Sequence, residues 1–212
     1  IHSVIIRNIS TYVTGNHAIV RLLNHGGKKL YNIIIENILD RSNGNEFRPG
    51  AAVRIGEQRY YSESGPAKLG DTFGITVRNV VTCARFGVFI SCTLQDALIN
   101  NVQLYHNAGT GVFFNTGHTR NIHVSDVHYN VNCESSETSL DGGVLFKFDK
   151  LCAMYFNDCD CQDLTVRGIT AGRALSAVFG GSGNVSLTAS GITRLGPETK
   201  LVDGESIKVK LS

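Results

Sequence analysis

The chemistry this sequence can offer comes from carboxylates set near aromatic and cationic side chains. Glu46, Glu57 and Asp71 fall in one polar stretch, and Glu134, Glu137, Asp141, Asp149, Asp158, Asp160 and Asp163 in another. Between the two lie Phe89 and Phe113, with Arg54, Tyr60 and Tyr61 on one side and Asn115 and Lys147 on the other. Two carboxyl groups about 5 to 10 Å apart can cleave a glycosidic bond, one donating a proton and the other acting as nucleophile or base. Aromatic faces beside Arg, Asn and Lys suit a sugar chain, whose ring faces are apolar and whose edges are hydroxylated. Asp149 and Asp158 are the candidate catalytic acids, because the stretch that holds them begins beside Lys147. Asp141 cannot join Asp149 if both sit on one extended strand, which would separate them by roughly 26 Å. Arg54, Tyr60, Tyr61, Phe89, Phe113, Asn115 and Lys147 are the candidate substrate-binding residues.

Cysteine and histidine offer less. Cys83 and Cys92 are expected to pack as small apolar groups, whereas Cys133, Cys152, Cys159 and Cys161 fall in the loops of one turn, where a disulfide among them is open. Asp158-Cys159-Asp160-Cys161 lacks the second cysteine pair of a structural zinc site and reads as a solvated loop, so neither metal nor cofactor is expected. His106 and His118 flank the run that starts at Gly111, where they can hydrogen-bond a ligand, and His123 points outward from its strand.

What must position these groups is a repeat. An apolar seed with Asn near its end starts at Val4, Ile33, Ile75, Ala97, Ile122 and Leu164, and fades at Val185. Its first, third and sixth places are apolar while the second and fourth vary, the mark of a strand with one buried face. Its fifth place reads Asn8, Asn37, Asn79, Asn101, Asp126 and Gly168, the residue types that tolerate a left-handed backbone. Stacked turn upon turn, the amides would form an asparagine ladder at a sharp corner.

A second, shorter strand lies between successive seeds, and aligning Val20, Val53, Val88, Val112, Val144 and Val178 puts a large apolar residue two places after each Val in most copies. On that alignment Arg21, Arg54, Phe89, Phe113, Leu145 and Phe179 point outward, followed by Leu23, Gly56, Ser91, Asn115, Lys147 and Gly181. The stretches Asp40 to Gly50, Gly56 to Gly74, His128 to Gly142 and Asp149 to Asp163 would wall this floor into a trough.

The pattern over Ile1 to Ile192 resembles the right-handed parallel β-helix, the pectin-lyase-like superfamily. The resemblance implies an all-β, single-stranded parallel solenoid of about seven turns, whose first-strand sheet lines a carbohydrate groove. Residues 1–212 would form one domain, with the last turn and C-terminal strand in 183–212 and the N-terminal cap lacking. Signature elements of polygalacturonase-like members are absent. Asn115-Thr116-Gly117-His118 lacks the acid of one and Arg54-Ile55-Gly56 the lysine of another, so no family mechanism carries over. In pectate-lyase-like members a basic residue abstracts a proton, a role open to Arg54 or Lys147.

Composition narrows the classes. A net charge of +2 is too small for a nucleic-acid face, and no apolar run reaches the roughly 20 residues of a membrane span. The sequence opens on a strand seed, so a mature product, a fragment or part of a larger assembly is expected, with another domain or chain capping the first turn. The leading expectation is a glycoside hydrolase acting on oligo- or polysaccharide at the cell surface or outside the cell. Alternatives are a polysaccharide lyase, a sugar epimerase or transferase, and a non-catalytic homotrimeric tail spike or adhesin whose Phe stack is the contact between copies.

Overall fold

The structure, a computed structural model, describes residues 1–12, 17–23, 29–42, 50–56, 72–106, 108–130, 151–173 and 175–212. Its strands are β1 (His2–Thr11), β2 (Ala18–Leu22), β3 (Leu30–Asp40), β4 (Ala51–Ile55), β5 (Thr72–Thr82) and β6 (Phe86–Ile90), followed by β7 (Leu94–Leu104), β8 (Thr110–Tyr129), β9 (Cys152–Ala171), β10 (Ala177–Arg194), β11 (Lys200–Asp203) and β12 (Ile207–Leu211). Every pairing is parallel, and the strands join into one sheet wound about an axis, an all-β parallel solenoid with no helix among the described residues.

Two faces carry the stacking. On one, β1, β3, β5 and β7 are followed by the C-terminal halves of β8, β9 and β10 and then by β12. On the other, β2, β4 and β6 are followed by the N-terminal halves of the same three long strands and then by β11. The apolar places of the seed stack inward as continuous columns. Ile33, Ile75, Ala97, Ile122 and Leu164 pair in register and are at most 4% exposed. Each fully buried Ile or Leu in such a column contributes roughly 1.5 to 3 kcal/mol.

The fifth place of the seed is a left-handed corner throughout. Asn8, Asn37, Asn79, Asn101 and Asp126 have φ of 59°, 57°, 57°, 55° and 58°. Asn37 Nδ2 donates to Asn8 Oδ1 at 2.9 Å, Asn79 Nδ2 to Asn37 Oδ1 at 2.9 Å, and Asn101 Nδ2 to Asn79 Oδ1 at 3.0 Å. A second left-handed row, which the sequence reading did not anticipate, immediately precedes the seeds. Ser3, Asn32, Gly74, Asp96, Asn121 and Asp163 all have φ between 51° and 63°. Asn121 Nδ2 donates to Asp96 Oδ1 at 2.7 Å across it. The signal was present, since five of the six, all but Ser3, are again Asn, Asp or Gly, the types that accept a left-handed backbone.

Register departs from expectation in the later rungs. The neighbour of Val112 is Met154 and the neighbour of Met154 is Phe179, so Val178, although buried in the core as expected, stands one place before the column in which it was aligned. Phe179 is fully buried in the core instead of pointing outward. Leu145, Val144 and Lys147 lie outside the described residues. The last seed begins at Leu187, which pairs with Leu164, and not at Val185, which pairs with Cys161. The C-terminal segment continues both faces, with Val202 beside Phe179 and Val209 beside Leu187.

Candidate functional site

The outward row of the first-strand face reads, in register, Arg21, Arg54, Phe89, Phe113, Tyr155, Gly180 and Asp203. Its rings are stacked: the Phe89 and Phe113 centroids are 5.0 Å apart, and those of Phe113 and Tyr155 5.6 Å apart. Phe86 adds a ring 4.9 Å from Phe113, and the Arg54 guanidinium lies 4.9 Å from the Phe89 centroid. Phe89 is 3% exposed and Phe113 0%, which corrects the expectation of an open aromatic floor. Rungs about 4.8 Å apart bring successive rings face to face, so Phe89 and Tyr155 take both faces of Phe113. The two phenylalanines belong to an apolar cluster with Ala51 and Phe86 and are buried within one chain, so they are not a contact between copies either.

Asn115 is likewise consumed by the fold. It is 2% exposed, donates to Ser91 Oγ at 3.1 Å and accepts from Asn157 Nδ2 at 2.7 Å. Asp158 is exposed, but not in a loop. It stands at a left-handed corner inside β9, with φ of 49°, and its backbone N–H donates to Ser182 Oγ at 3.3 Å. Asp149, Lys147, Tyr60 and Tyr61 lie outside the described residues, as do residues 57–71 and 131–150 that hold most of the expected walls. The stretch from Cys152 to Asp163, expected as loop, is strand.

The cysteines are structural. Cys83, Cys92, Cys152, Cys159 and Cys161 are free and buried, and Cys133 lies outside the described residues. Cys159 and Cys161 face each other at 3.4 Å between sulfurs inside the core, which corrects the solvated-loop reading of that run. The hydrogen bond between them, and then burial, raises the Cys159 thiol well above the usual range. Burial pushes Cys92 up to about 12, against a weaker opposing hydrogen bond from Thr72. Both shifts favour the neutral thiol at neutral pH.

Asp40 is buried, but its oxygens are spent on the fold. They accept from Ser42 N at 2.9 Å, Thr82 Oγ1 at 2.9 Å and Cys83 N at 3.0 Å, and from Ser42 Oγ. Tyr105 donates its hydroxyl to the Asp40 carbonyl, and burial, followed by the Asp40 charge, raises that phenol above its ordinary value. On the surface, His118 Nδ1 lies 3.1 Å from Asp160 Oδ2, while Asn184 Nδ2 donates to Asp160 Oδ1 at 3.1 Å. This pair sits past the corner that ends the first strand. His106 is exposed and packs edge-on to Tyr105.

A pocket opens where the aromatic row stops. Gly180 pairs with Tyr155 on one side and Asp203 on the other, so the outward row skips one side chain between them. A Cβ on Gly180 would come within 2.2 Å of Cys152 Sγ, so the thiol already fills the place where a side chain would begin. Gly181, with φ of 109°, presses against the β9 backbone, where a Cβ would lie 1.9 Å from the Phe156 carbonyl oxygen. Beside it a cavity of about 510 Å³ is lined by Cys152, Tyr155, Ser182, Asp203, Glu205 and Ser206. Ser182, the acceptor of the Asp158 N–H, thus joins the one described candidate acid to the pocket rim.

Asp203 and Glu205 were missed because β11 is only four residues long and departs from the first-strand pattern, placing Gly204 where Ile55, Ile90, Phe114 and Phe156 stand in earlier copies. The available signal was the apolar pair Leu201-Val202 one repeat after Val178-Phe179. Among the described residues no group of three or more His, Cys, Asp or Glu side chains is placed to hold a metal ion, and no helix is long and apolar enough to cross a membrane. No protein-family model matches the chain, and neither a curated protein nor a solved structure matches it.

Proposed function

We propose that this protein is a carbohydrate-active parallel β-helix of the pectin-lyase-like type, a glycoside hydrolase acting on oligo- or polysaccharide outside the cell or at its surface. The observation that carries the reading is the pocket itself, whose lining includes Tyr155, Asp203 and Glu205. Ring and acid are the two kinds of group a glycosidase subsite needs, one to seat a sugar and one to move a proton.

Asp203 and Glu205 supply acid and base from the C-terminal rung, and Asp158 stands on the far side of Ser182. Two rungs separate Asp158 from the turn that holds Glu205, roughly 10 Å along the axis, at the upper end of the spacing of an inverting pair. Arg54, held against Phe89, lies too far up the row to serve as a lyase base at this pocket: the Phe89, Phe113, Tyr155 and Gly180 rungs separate it from Asp203.

The test is a screen of polysaccharides for new reducing ends and, in parallel, for unsaturated products absorbing in the ultraviolet. Reducing ends without unsaturation, lost by 100-fold or more in Glu205→Gln or Asp203→Asn, are expected, in the range general acid–base groups contribute. Unsaturated products would replace hydrolase by lyase. Full activity in both variants would remove the site from this pocket.

A further inference from the structure

Two thiols in the core stand close enough to become one bond. Cys159 and Cys161 sit two places apart on β9 and both belong to the core, while Asp160 between them turns outward to His118 and Asn184. Their sulfurs are in direct contact at 3.4 Å. Two steps of extended strand place the Cα atoms roughly 6.6 Å apart, at the upper end of the range of about 4.4 to 6.8 Å that a disulfide bridges. Closing the sulfurs to a bond of about 2.05 Å therefore asks for side-chain rotation and not for a move of the sheet.

The neighbouring rungs leave room for that rotation. Cys159 is flanked in register by Gly117 on β8 and Gly183 on β10, so neither rung puts a side chain beside it. Cys161 lies between Thr119 and Val185. Two touching thiols share one S–H···S contact, so the second proton has to find another acceptor. The hydroxyl nearest in register, Thr119 Oγ1, is buried and makes no hydrogen bond. Oxidation removes both protons and with them the need for a second acceptor.

Burial also decides when the bond forms. Exchange needs a thiolate, and in the folded chain the hydrogen bond from Cys161, and then burial, hold the Cys159 thiol neutral. In the unfolded chain both cysteines ionise near the ordinary value of about 8.5 and are open to an oxidant. The core that excludes an oxidant afterwards also excludes a reductant, since Cys159 and Cys161 are 3% and 1% exposed.

We infer that Cys159 and Cys161 form an intrachain disulfide when the chain folds in the presence of a small-molecule disulfide such as oxidised glutathione. One cysteine thiolate attacks that disulfide, and a mixed disulfide forms as the first glutathione leaves. The other cysteine thiolate attacks the protein sulfur of the mixed bond, and the second glutathione leaves. The two cysteines give up two electrons and two protons, which the oxidant carries away as two molecules of reduced glutathione. The cross-link joins the two sides of Asp160 and belongs to a chain that folds in an oxidising compartment. It stands independently of what the pocket binds.

The test refolds the full chain from urea and reductant in two ways, into oxidised glutathione and into reductant alone. Free thiols are then blocked with iodoacetamide in urea, and the chain is digested with chymotrypsin, whose cuts after Phe156 and Leu164 separate this pair from Cys152. After oxidative refolding, half or more of the peptide that holds both cysteines is expected two hydrogens lighter and unalkylated. Those chains should show the far-ultraviolet circular dichroism of protein kept reduced throughout. Folded, reduced protein given the same oxidant should form the bond at least tenfold more slowly than the refolding chain. Alkylation of both thiols after oxidative refolding would overturn the inference, as would a bond from either one to Cys133 or another cysteine. A Cys159–Cys161 bond confined to chains that fail to regain the native spectrum would overturn it too, as would equal rates in folded and refolding protein.

Discussion

Replacing Phe113 by alanine separates an exposed platform from a packed ring. Phe113 is 0% exposed and sits between Phe89 at 5.0 Å and Tyr155 at 5.6 Å, with Phe86 4.9 Å away. Truncation removes a ring whose transfer from water is favourable and leaves a cavity that the flanking β strands are too regular to collapse into. Phe→Ala at such sites costs about 3 to 5 kcal/mol, and the lost ring pairs place this one toward the upper half of that span. For a chain of this length that is a fall in Tm on the order of 10 °C. The assay is urea unfolding followed by far-ultraviolet circular dichroism, with Phe113→Leu as the volume-sparing control, expected to lose less than half as much. A loss under about 1 kcal/mol for Phe113→Ala, with sugar binding impaired in the folded variant, would refute the packing argument and restore Phe113 as a ligand platform.

Asn79→Leu should destabilise by about 1 to 3 kcal/mol, because it deletes the bond to Asn37 and the one accepted from Asn101 and puts a branched side chain at φ of 57°. Asn79→Gly, which keeps the backbone relaxed, should lose less in the same urea titration. Cys92, 2% exposed and with its pKa pushed up to about 12 by burial, should resist iodoacetamide at pH 8 in the native protein and react once urea unfolds it. Because folding favours the neutral thiol, its contribution is intact below the unfolded value near 9 and is lost as pH rises toward about 12. Urea midpoints should therefore fall across that window, and less steeply in Cys92→Ala.

The architecture could be read from the sequence because its signals are local. An apolar place at every other position, followed by Asn, Asp or Gly where the chain must turn left-handed, is written within each seed from Val4 to Leu164. Even the unforeseen second corner was written there, in Ser3, Asn32, Gly74, Asp96, Asn121 and Asp163, each one residue before a seed.

What the tertiary structure alone decided is which strand lies beside which. Gly143-Val144-Leu145-Phe146 carries nearly the same local pattern as Ala153-Met154-Tyr155-Phe156, so alternation cannot choose between them. The rung beside Val112 went to Met154, because pairing depends on a column of neighbours from distant parts of the chain. That choice replaces Leu145 by Tyr155 at the end of the aromatic row and brings Gly180 and Asp203 into line with it. The fate of Phe113 was decided in the same way. An outward place on a strand says only that a side chain leaves the solenoid core, whereas its exposure depends on the rings above and below it. Residues that turn the chain are selected one at a time by backbone sterics. A pocket made where a row of rings stops exists only once the rungs are stacked.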